Sequence, residues 1–441
     1  MNKPKISVIG LGKLGICTAV CSAFKGYQTI GLDVNKKTID SVNRGKAPVI
    51  EPDLQELMAK SNACLEATDS HKEIIKKSDI TFFIVPTPSM ASGHFSDKLL
   101  KDSLIPLSRA LKNKNGYHLF VITSTVSPQT TENNLIPLIE KYSGKKLNKD
   151  FGVCYNPEFI ALGSVIKDTL NPDMVLIGES HKKAGEMLEK FYENLCDNKP
   201  YIARMSIISA EITKISLNAY VTMKISFANT LGNLCEKIHG SEIDKITKAL
   251  GADKRVAPYY LKAGLAYGGP CFPRDNRAFA AFAKKYNYDA KLAKTTDQVN
   301  RLQIDLIVKK VEKIFKNSKA KTVSLLGLAY KTDTPVIEES AAIFIIKKLL
   351  SKKANVTVYD RLATENTKSV FGKKIKYAKS IGSCINASSI VIVTTPEKEF
   401  SSISKTSFKK PTIVIDCWRI LKNKNLGKKV IYDAIGEYEK D

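Results

Sequence analysis

Lys5-Ile-Ser-Val-Ile-Gly10-Leu-Gly12-Lys-Leu-Gly15 decides the fold of this chain. The apolar run up to Ile9 predicts a strand, and the glycines make a turn that feeds a helical stretch reaching about Gly26. A second strand, Gln28–Leu32, ends on Asp33. Strand, glycine turn, helix, strand and terminal acid is the βαβ order that gives G-x-G-x-x-G its meaning. Gly10 permits the tight turn, Gly12 lets backbone approach a pyrophosphate, and Gly15 allows helix and strand to pack closely. The free amides of the helix N-terminus then face the phosphates. Asp33 is placed to accept the adenosine ribose hydroxyls. A carboxylate there repels a 2′-phosphate, so NAD is expected rather than NADP.

Working outward, apolar runs at Ile80–Val85, Leu119–Thr123 and Met174–Gly178 predict more strands of an α/β layer. Their ends carry Thr87, Ser124 and Thr125, where open α/β sheets place ligand contacts. From about Ser206 the pattern turns helical. Ser206–Glu236 holds no proline and only Gly232, so one long helix is expected. A third block begins near Lys321, with strands at Thr322–Leu326, Val356–Tyr359, Ile390–Thr394 and Thr412–Ile415 and a helix over Ser340–Ser351. It repeats strand, turn, helix, strand and acid (Asp360), with Gly327-Leu-Ala-Tyr-Lys-Thr-Asp333 where the glycine signature would stand. The expected fold class is α/β, two Rossmann-like domains joined by a central helical region built on the long helix. The boundaries fall at residues 1–200, 201–315 and 316–441.

A chain of 441 residues is too long for one core. Its apolar runs are strand-length and cannot span a bilayer. Met-Asn-Lys-Pro-Lys runs straight into the first strand, so a cytoplasmic protein without a membrane partner is expected. Nine scattered cysteines with no C-x-x-C pair predict reduced thiols, and five histidines without ligand spacing predict no metal. The net charge of +25 comes mostly from dispersed lysine pairs such as Lys36-Lys37 and Lys182-Lys183. That pattern favours a solvated surface that attracts an anionic small substrate over a nucleic-acid face.

The chemistry concentrates in Gly264-Leu-Ala-Tyr-Gly-Gly-Pro-Cys271-Phe-Pro-Arg-Asp275. A sharply turning glycine–proline backbone presents one thiol. Alcohol–carbonyl interconversion needs no cysteine. Oxidation of an aldehyde onward to an acid does, because a thiolate traps the aldehyde as a thiohemiacetal that can give up a second hydride. Cys271 needs a nearby cation or helix terminus to ionise, and Lys214 is one candidate. Asp275 is suited to orient water or accept its proton. Glu211, Lys214 and Asn218 share one face of the long helix, where lysine and amide can donate to a developing alkoxide. The bland reading is a surface salt link between Glu211 and Lys214 with Asn218 exposed.

These motifs, with Gly45-x-x-Pro48, Glu51-Pro52, Val85-Pro-Thr-Pro88, Ser124-Thr-Val126, Asn156-Pro-Glu-Phe159, Pro172-Asp173, Ala210-Glu-x-x-Lys214-x-x-x-Asn218 and Lys224-Ile-Ser-Phe227, resemble the nucleotide-sugar dehydrogenase family. The likeness runs through nearly the whole chain. It implies an NAD-dependent four-electron oxidation of a sugar C6 hydroxyl to a carboxylate, with UDP-glucose the expected substrate and a homodimer or higher homo-oligomer formed through the long helix. It implies Cys271 as nucleophile, Lys214 and Asn218 as oxyanion donors, Asp275 in water and proton handling, and Glu158 and Thr125 in water activation. Cofactor contacts extend to Lys13, Leu14 and Arg274. Substrate positions implied are Glu158, Phe159, Lys214, Asn218, Tyr260, Leu261, Lys262, Tyr267, Gly268, Tyr330 and Lys331, with Arg255 reaching a neighbouring subunit's substrate.

The chain departs from the family pattern in four places. Lys13 replaces a usual tyrosine, Pro86 a usual glycine, and Leu162 a usual charged residue. Asp416-Cys-Trp-Arg419 replaces Asp-Gly-Arg and sets the arginine one place later. UDP-N-acetylhexosamine or GDP-mannose oxidation is the alternative within the family. Outside it stand a two-electron β-hydroxyacid dehydrogenase, which has no use for Cys271, and a non-catalytic basic binding protein.

Overall fold

The computed structural model describes residues 3–90, 92–160, 163–316 and 321–438. The chain divides into two compact units, residues 1–215 and 216–441, and the division falls inside the helix Ile207–Cys235.

The first unit is built on an eight-stranded sheet of order β3-β2-β1-β4-β5-β6-β7-β8. The strands are β1 (Ile6–Ile9), β2 (Thr29–Leu32), β3 (Leu65–Thr68), β4 (Ile80–Phe83), β5 (His118–Ile122), β6 (Phe151–Tyr155), β7 (Met174–Glu179) and β8 (Tyr201–Ser206). All neighbours run parallel except β6 and β7, where Tyr155 faces Gly178 in an antiparallel pair. The central strands are buried along their whole length, as a parallel sheet covered on both faces requires. Alternation divides them between two cores. Ile6 and Val8 join Ile16, Val20 and Phe191 on one face, while Ile9 joins Phe83, Leu104 and Phe120 on the other. Ser7, inside β1, is accommodated by a buried chain through Thr81 to the His118 ring, with links of 2.7 and 2.8 Å. Burial holds His118 well below the usual histidine range, so the ring stays neutral.

The second unit holds the rest of the long helix, the helices Ile243–Ala252, Phe272–Lys285 and Lys291–Lys316, and a six-stranded parallel sheet of order β11-β10-β9-β12-β13-β14. Its strands are β9 (Thr322–Leu326), β10 (Asn355–Tyr359), β11 (Lys376–Tyr377), β12 (Ile390–Val393), β13 (Thr412–Asp416) and β14 (Val430–Ala434). Lys310 ties helix to sheet. Its ammonium meets Glu236 at 3.2 Å and Asp433 at 2.9 Å in largely buried surroundings. Among the described residues no helix is long and apolar enough to cross a membrane.

Candidate active site

In the first unit the glycine turn closes as the motif demands. A Cβ on Gly15 would lie 1.8 Å from the Gly10 carbonyl oxygen, so only glycine lets the helix Lys13–Phe24 start this close to β1. Gly12 caps that helix without any side-chain hydrogen bond, and a Cβ placed there would meet nothing within 4 Å. An uncapped helix N-terminus facing open space is a cradle for a phosphate, and it fits the pyrophosphate of NAD. Asp33 Oδ2 accepts from the Leu11 amide at 2.8 Å and Oδ1 from the Asn35 amide at 2.8 Å. Each oxygen therefore keeps a lone pair for a ribose hydroxyl.

The second unit repeats this device with a different outcome. Asp360, at the end of β10, takes the amides of Leu328 and Ala329 on Oδ2 and those of Leu362 and Ala363 on Oδ1. Four amides saturate the carboxylate, so it has no capacity left for a ribose. One carboxylate is poised for ligand, the other is structural.

At the far ends of the first unit's strands, Ser124 is used internally. Its hydroxyl donates to Val85 O at 2.7 Å and accepts from Val85 N at 3.0 Å, stapling β4 to β5. Thr87 likewise donates to Thr125 O at 2.6 Å. These two hydroxyls shape the loops, while Thr125 and Lys13 remain partly exposed.

Glu158 follows β6. Its Oε1 accepts from Thr18 at 2.9 Å, whereas Oε2 is buried and accepts no hydrogen bond among the described residues. Burial pushes the carboxyl above its ordinary range, with the Thr18 hydroxyl and the Lys214 charge pulling back. Lys214 donates to Glu158 O at 2.5 Å and stands 4.4 Å from the Phe159 ring centre. Leu162 lies outside the described residues.

Glu211 departs from the bland sequence reading. It is fully buried and makes no surface link to Lys214; its carboxylate accepts from Gln129 N at 2.5 Å and Thr131 N at 3.0 Å. Gln129 has φ +73°, a left-handed conformation rare for a residue with a Cβ, and Glu211 holds that turn. Glu211→Ala leaves two buried donors unpaired and is expected to destabilise the first unit by about 3 kcal/mol, read by thermal denaturation. Burial also raises the Glu211 carboxyl from 4.5 to about 7. The folded chain then binds this proton more tightly than the unfolded chain. The group's stabilising contribution is complete below its unfolded value and is lost as pH rises through about 7. Glu211→Gln should flatten that slope in the melting temperature between about pH 4.5 and 7.

In the second unit, Cys271 is the N-cap of the helix Phe272–Lys285. All nine cysteines are within the described residues, and Cys271 is the exposed one. The helix terminus supplies positive potential that favours thiolate, one of the two devices the sequence called for. One turn on, Asp275 is fully buried, accepting from Asn218 Nδ2 at 2.6 Å and Arg274 Nε at 3.0 Å. Asn218, buried on the long helix, is therefore tied to the cysteine helix and not merely exposed. Arg274 is committed to that pair, which bears on its expected role as a cofactor contact. Gly269, at φ +84°, packs against the Tyr330 ring, where a Cβ would come within 2.5 Å. A Gly268 Cβ would strike the Glu339 carbonyl at 2.2 Å.

The remaining expected substrate positions are spread around this loop. Tyr260 and Tyr267 both meet the Phe272 ring edge-on, at 6.0 and 6.2 Å. Leu261 is absorbed into an apolar cluster with Ala228, Cys235 and Ile243, whereas Lys262 is exposed and Lys331 partly so. Arg255 is exposed and paired with its near neighbour Asp253 at 2.6 Å. Arg419, the displaced arginine of the C-terminal motif, turns inward. Its side chain is 2% exposed and meets Asp244 at 2.9 Å. It also donates to Ile435 O at 2.7 Å and Ala263 O at 2.8 Å. It is an internal brace. Sequence reasoning did not single out Asn229, whose Oδ1 accepts from Gly264 N at 2.8 Å. Lys224, quoted only as the start of a motif and given no role, pins Val256 O at 2.9 Å ahead of the tyrosine loop.

Three domains described for one family match the chain in order. These are the NAD binding domain over residues 4–196, the central domain over 208–302, and the UDP binding domain over 324–423. The chain belongs to the UDP-glucose/GDP-mannose dehydrogenase family. It is an NAD-dependent nucleotide-sugar 6-dehydrogenase. Among relatives, it is 34% identical over 421 residues to UDP-glucose 6-dehydrogenase of Haloferax volcanii, covering 95% of this chain and 97% of that one. It is 32% identical to GDP-mannose 6-dehydrogenase of Pseudomonas syringae, covering 91% and 93%. A UDP-glucose dehydrogenase structure from Pyrobaculum islandicum superposes with a TM-score of 0.89 at 28% identity, covering 99% and 98%. The UDP-D-ManNAc dehydrogenase structure of Pyrococcus horikoshii gives 0.82 at 25% identity, covering 98% and 99%.

Proposed function

We propose that this dehydrogenase converts UDP-glucose to UDP-glucuronate, with Cys271 carrying the sugar between the two oxidations. The observation that carries the reading is the exposed Cys271 thiol at a helix N-terminus, one turn from the buried Asp275–Asn218 pair. A two-electron dehydrogenase has no task for such a thiol.

When bound at the Gly10–Gly15 turn and Asp33, NAD supplies the hydride acceptor for each oxidation. The remaining work belongs to side chains. Lys214 and Asn218 donate to the oxygen that gains charge at C6. The Cys271 thiolate adds to the aldehyde carbon, and the thiohemiacetal is oxidised in place to a thioester. Water held by Glu158 and Thr125 cleaves it, and Asp275 manages the proton. Burial raises the Glu158 carboxyl, which suits a group that must both accept and release a proton. Tyr260, Lys262, Tyr267, Tyr330 and Lys331 hold the nucleotide sugar, and the positive net charge of the chain draws in the anionic diphosphate.

The same reading includes a homodimer. Tyr220, Phe227 and Leu234, each more than half exposed, repeat every seven residues along the long helix and form one apolar stripe for a second copy.

Steady-state NADH formation with UDP-glucose, UDP-galactose, UDP-GlcNAc, UDP-ManNAc and GDP-mannose tests the substrate. UDP-glucose should give the highest kcat/KM. A value at least about tenfold higher for GDP-mannose or UDP-ManNAc would transfer the assignment to that sugar.

A further inference from the structure

The segment Leu261–Cys271 forms neither helix nor strand, yet residues 263–269 are buried. Buried main-chain polar groups need partners, and where no sheet ladder supplies them other backbone groups or side chains must. One residue supplies two of them. Asn300, 6% exposed on the helix Lys291–Lys316, accepts from Tyr267 N at 2.8 Å through Oδ1 and donates to Tyr267 O at 2.9 Å through Nδ2. An amide that pairs with both backbone groups of one residue does for this loop what a neighbouring strand does inside a sheet.

Beyond Tyr267 the backbone has little slack. Gly268 abuts the Glu339 carbonyl, Gly269 abuts the Tyr330 ring and donates to Glu338 O at 3.0 Å, and Pro270 leads into Cys271. A displacement at Tyr267 therefore passes along to the thiol.

We infer that Asn300 is the positioning residue of the Cys271 nucleophile. It acts through the Tyr267 peptide groups and sets the thiol against the first amides of the helix Phe272–Lys285. Helix-terminus stabilisation falls off within one turn, and a misplacement of about 1 Å can lower a rate about 10²-fold. The inference rests on the reading of Cys271 as nucleophile.

The test compares Asn300→Ala and Asn300→Asp with the unmodified enzyme, well below their unfolding temperatures. Asn300→Ala should lower kcat about 10²-fold with KM changed no more than about threefold. The pH midpoint for carbamidomethylation of Cys271 by iodoacetamide, followed by peptide mass mapping, should move upward. Asn300→Asp has nearly the same size and keeps an acceptor for Tyr267 N–H, so it should recover part of both losses. An Asn300→Ala enzyme with lowered thermal stability but unchanged kcat and alkylation profile would overturn the inference. If that variant is not recovered folded, an unchanged kcat and profile in Asn300→Asp overturns it equally. Cys271→Ala, run alongside, separates the two levels. Undiminished uronate formation without the thiol sinks the nucleophile reading, whereas an inactive Cys271→Ala beside unaffected Asn300 variants sinks only the positioning role.

Discussion

Cys271→Ala should form no UDP-glucuronate at a measurable rate, a loss of about 10³-fold or more in kcat for the complete oxidation. The thiol is exposed, so its removal opens no cavity in a core, and the melting temperature should stay near that of the unmodified protein. This combination of large kinetic and small thermodynamic effect separates a nucleophile from a packing residue. The other cysteines give the contrast. Burial pushes the Cys21 thiol up to about 12 and Cys196 up to about 11, so they remain protonated and inert near neutral pH. Product chromatography with circular-dichroism melting checks both halves.

Asp275→Asn is the second large effect. The carboxylate is fully buried, with Asn218 on one oxygen and Arg274 on the other. Asparagine preserves the shape but removes the charge and gives Asn218 or Arg274 a donor to face. The expected result is a kcat lowered by about 10²–10⁴-fold, with KM changed little, since general acid–base work and orientation of Asn218 are lost together. Asp275→Ala should add a stability loss of about 3 kcal/mol by leaving both partners uncompensated. Equal losses of kcat in both variants, with only the alanine form destabilised, would separate the charge from the packing.

Much of this architecture was legible because it depends on local patterns. The glycines at 10, 12 and 15 with Asp33 announced the first βαβ unit, and the glycine–proline setting of Cys271 announced the thiol. What escaped was set by distant partners. Strand β3 is a half-exposed edge with Glu66 in its middle, β6 carries Gly152 and Cys154, and β8 carries Arg204, so none reads as an apolar run. The antiparallel turn of β6 against β7 leaves no mark in either strand. Glu211 looked like a helix-face acid because its partners, Gln129 and Thr131, lie about eighty residues away. Arg419 finds Asp244 at a separation of 175 residues, and Asn300 finds Tyr267 at 33. For Glu211 the available signal was an acid among apolar residues of the long helix, which points to burial with a partner without saying which partner. Asn300 sits on a helix rich in lysine and acid, where a polar residue carries no such signal.

The central claim is that one active site performs two oxidations on one sugar, held in between by Cys271. End-point stoichiometry is the decisive test: a limiting, known amount of UDP-glucose is incubated with excess NAD, and NADH and product are counted at completion. Two NADH per sugar and a carboxylate at C6 are expected, with no free aldehyde accumulating. One NADH per sugar with a released aldehyde or ketone, or two NADH per sugar from the Cys271→Ala enzyme, would contradict it.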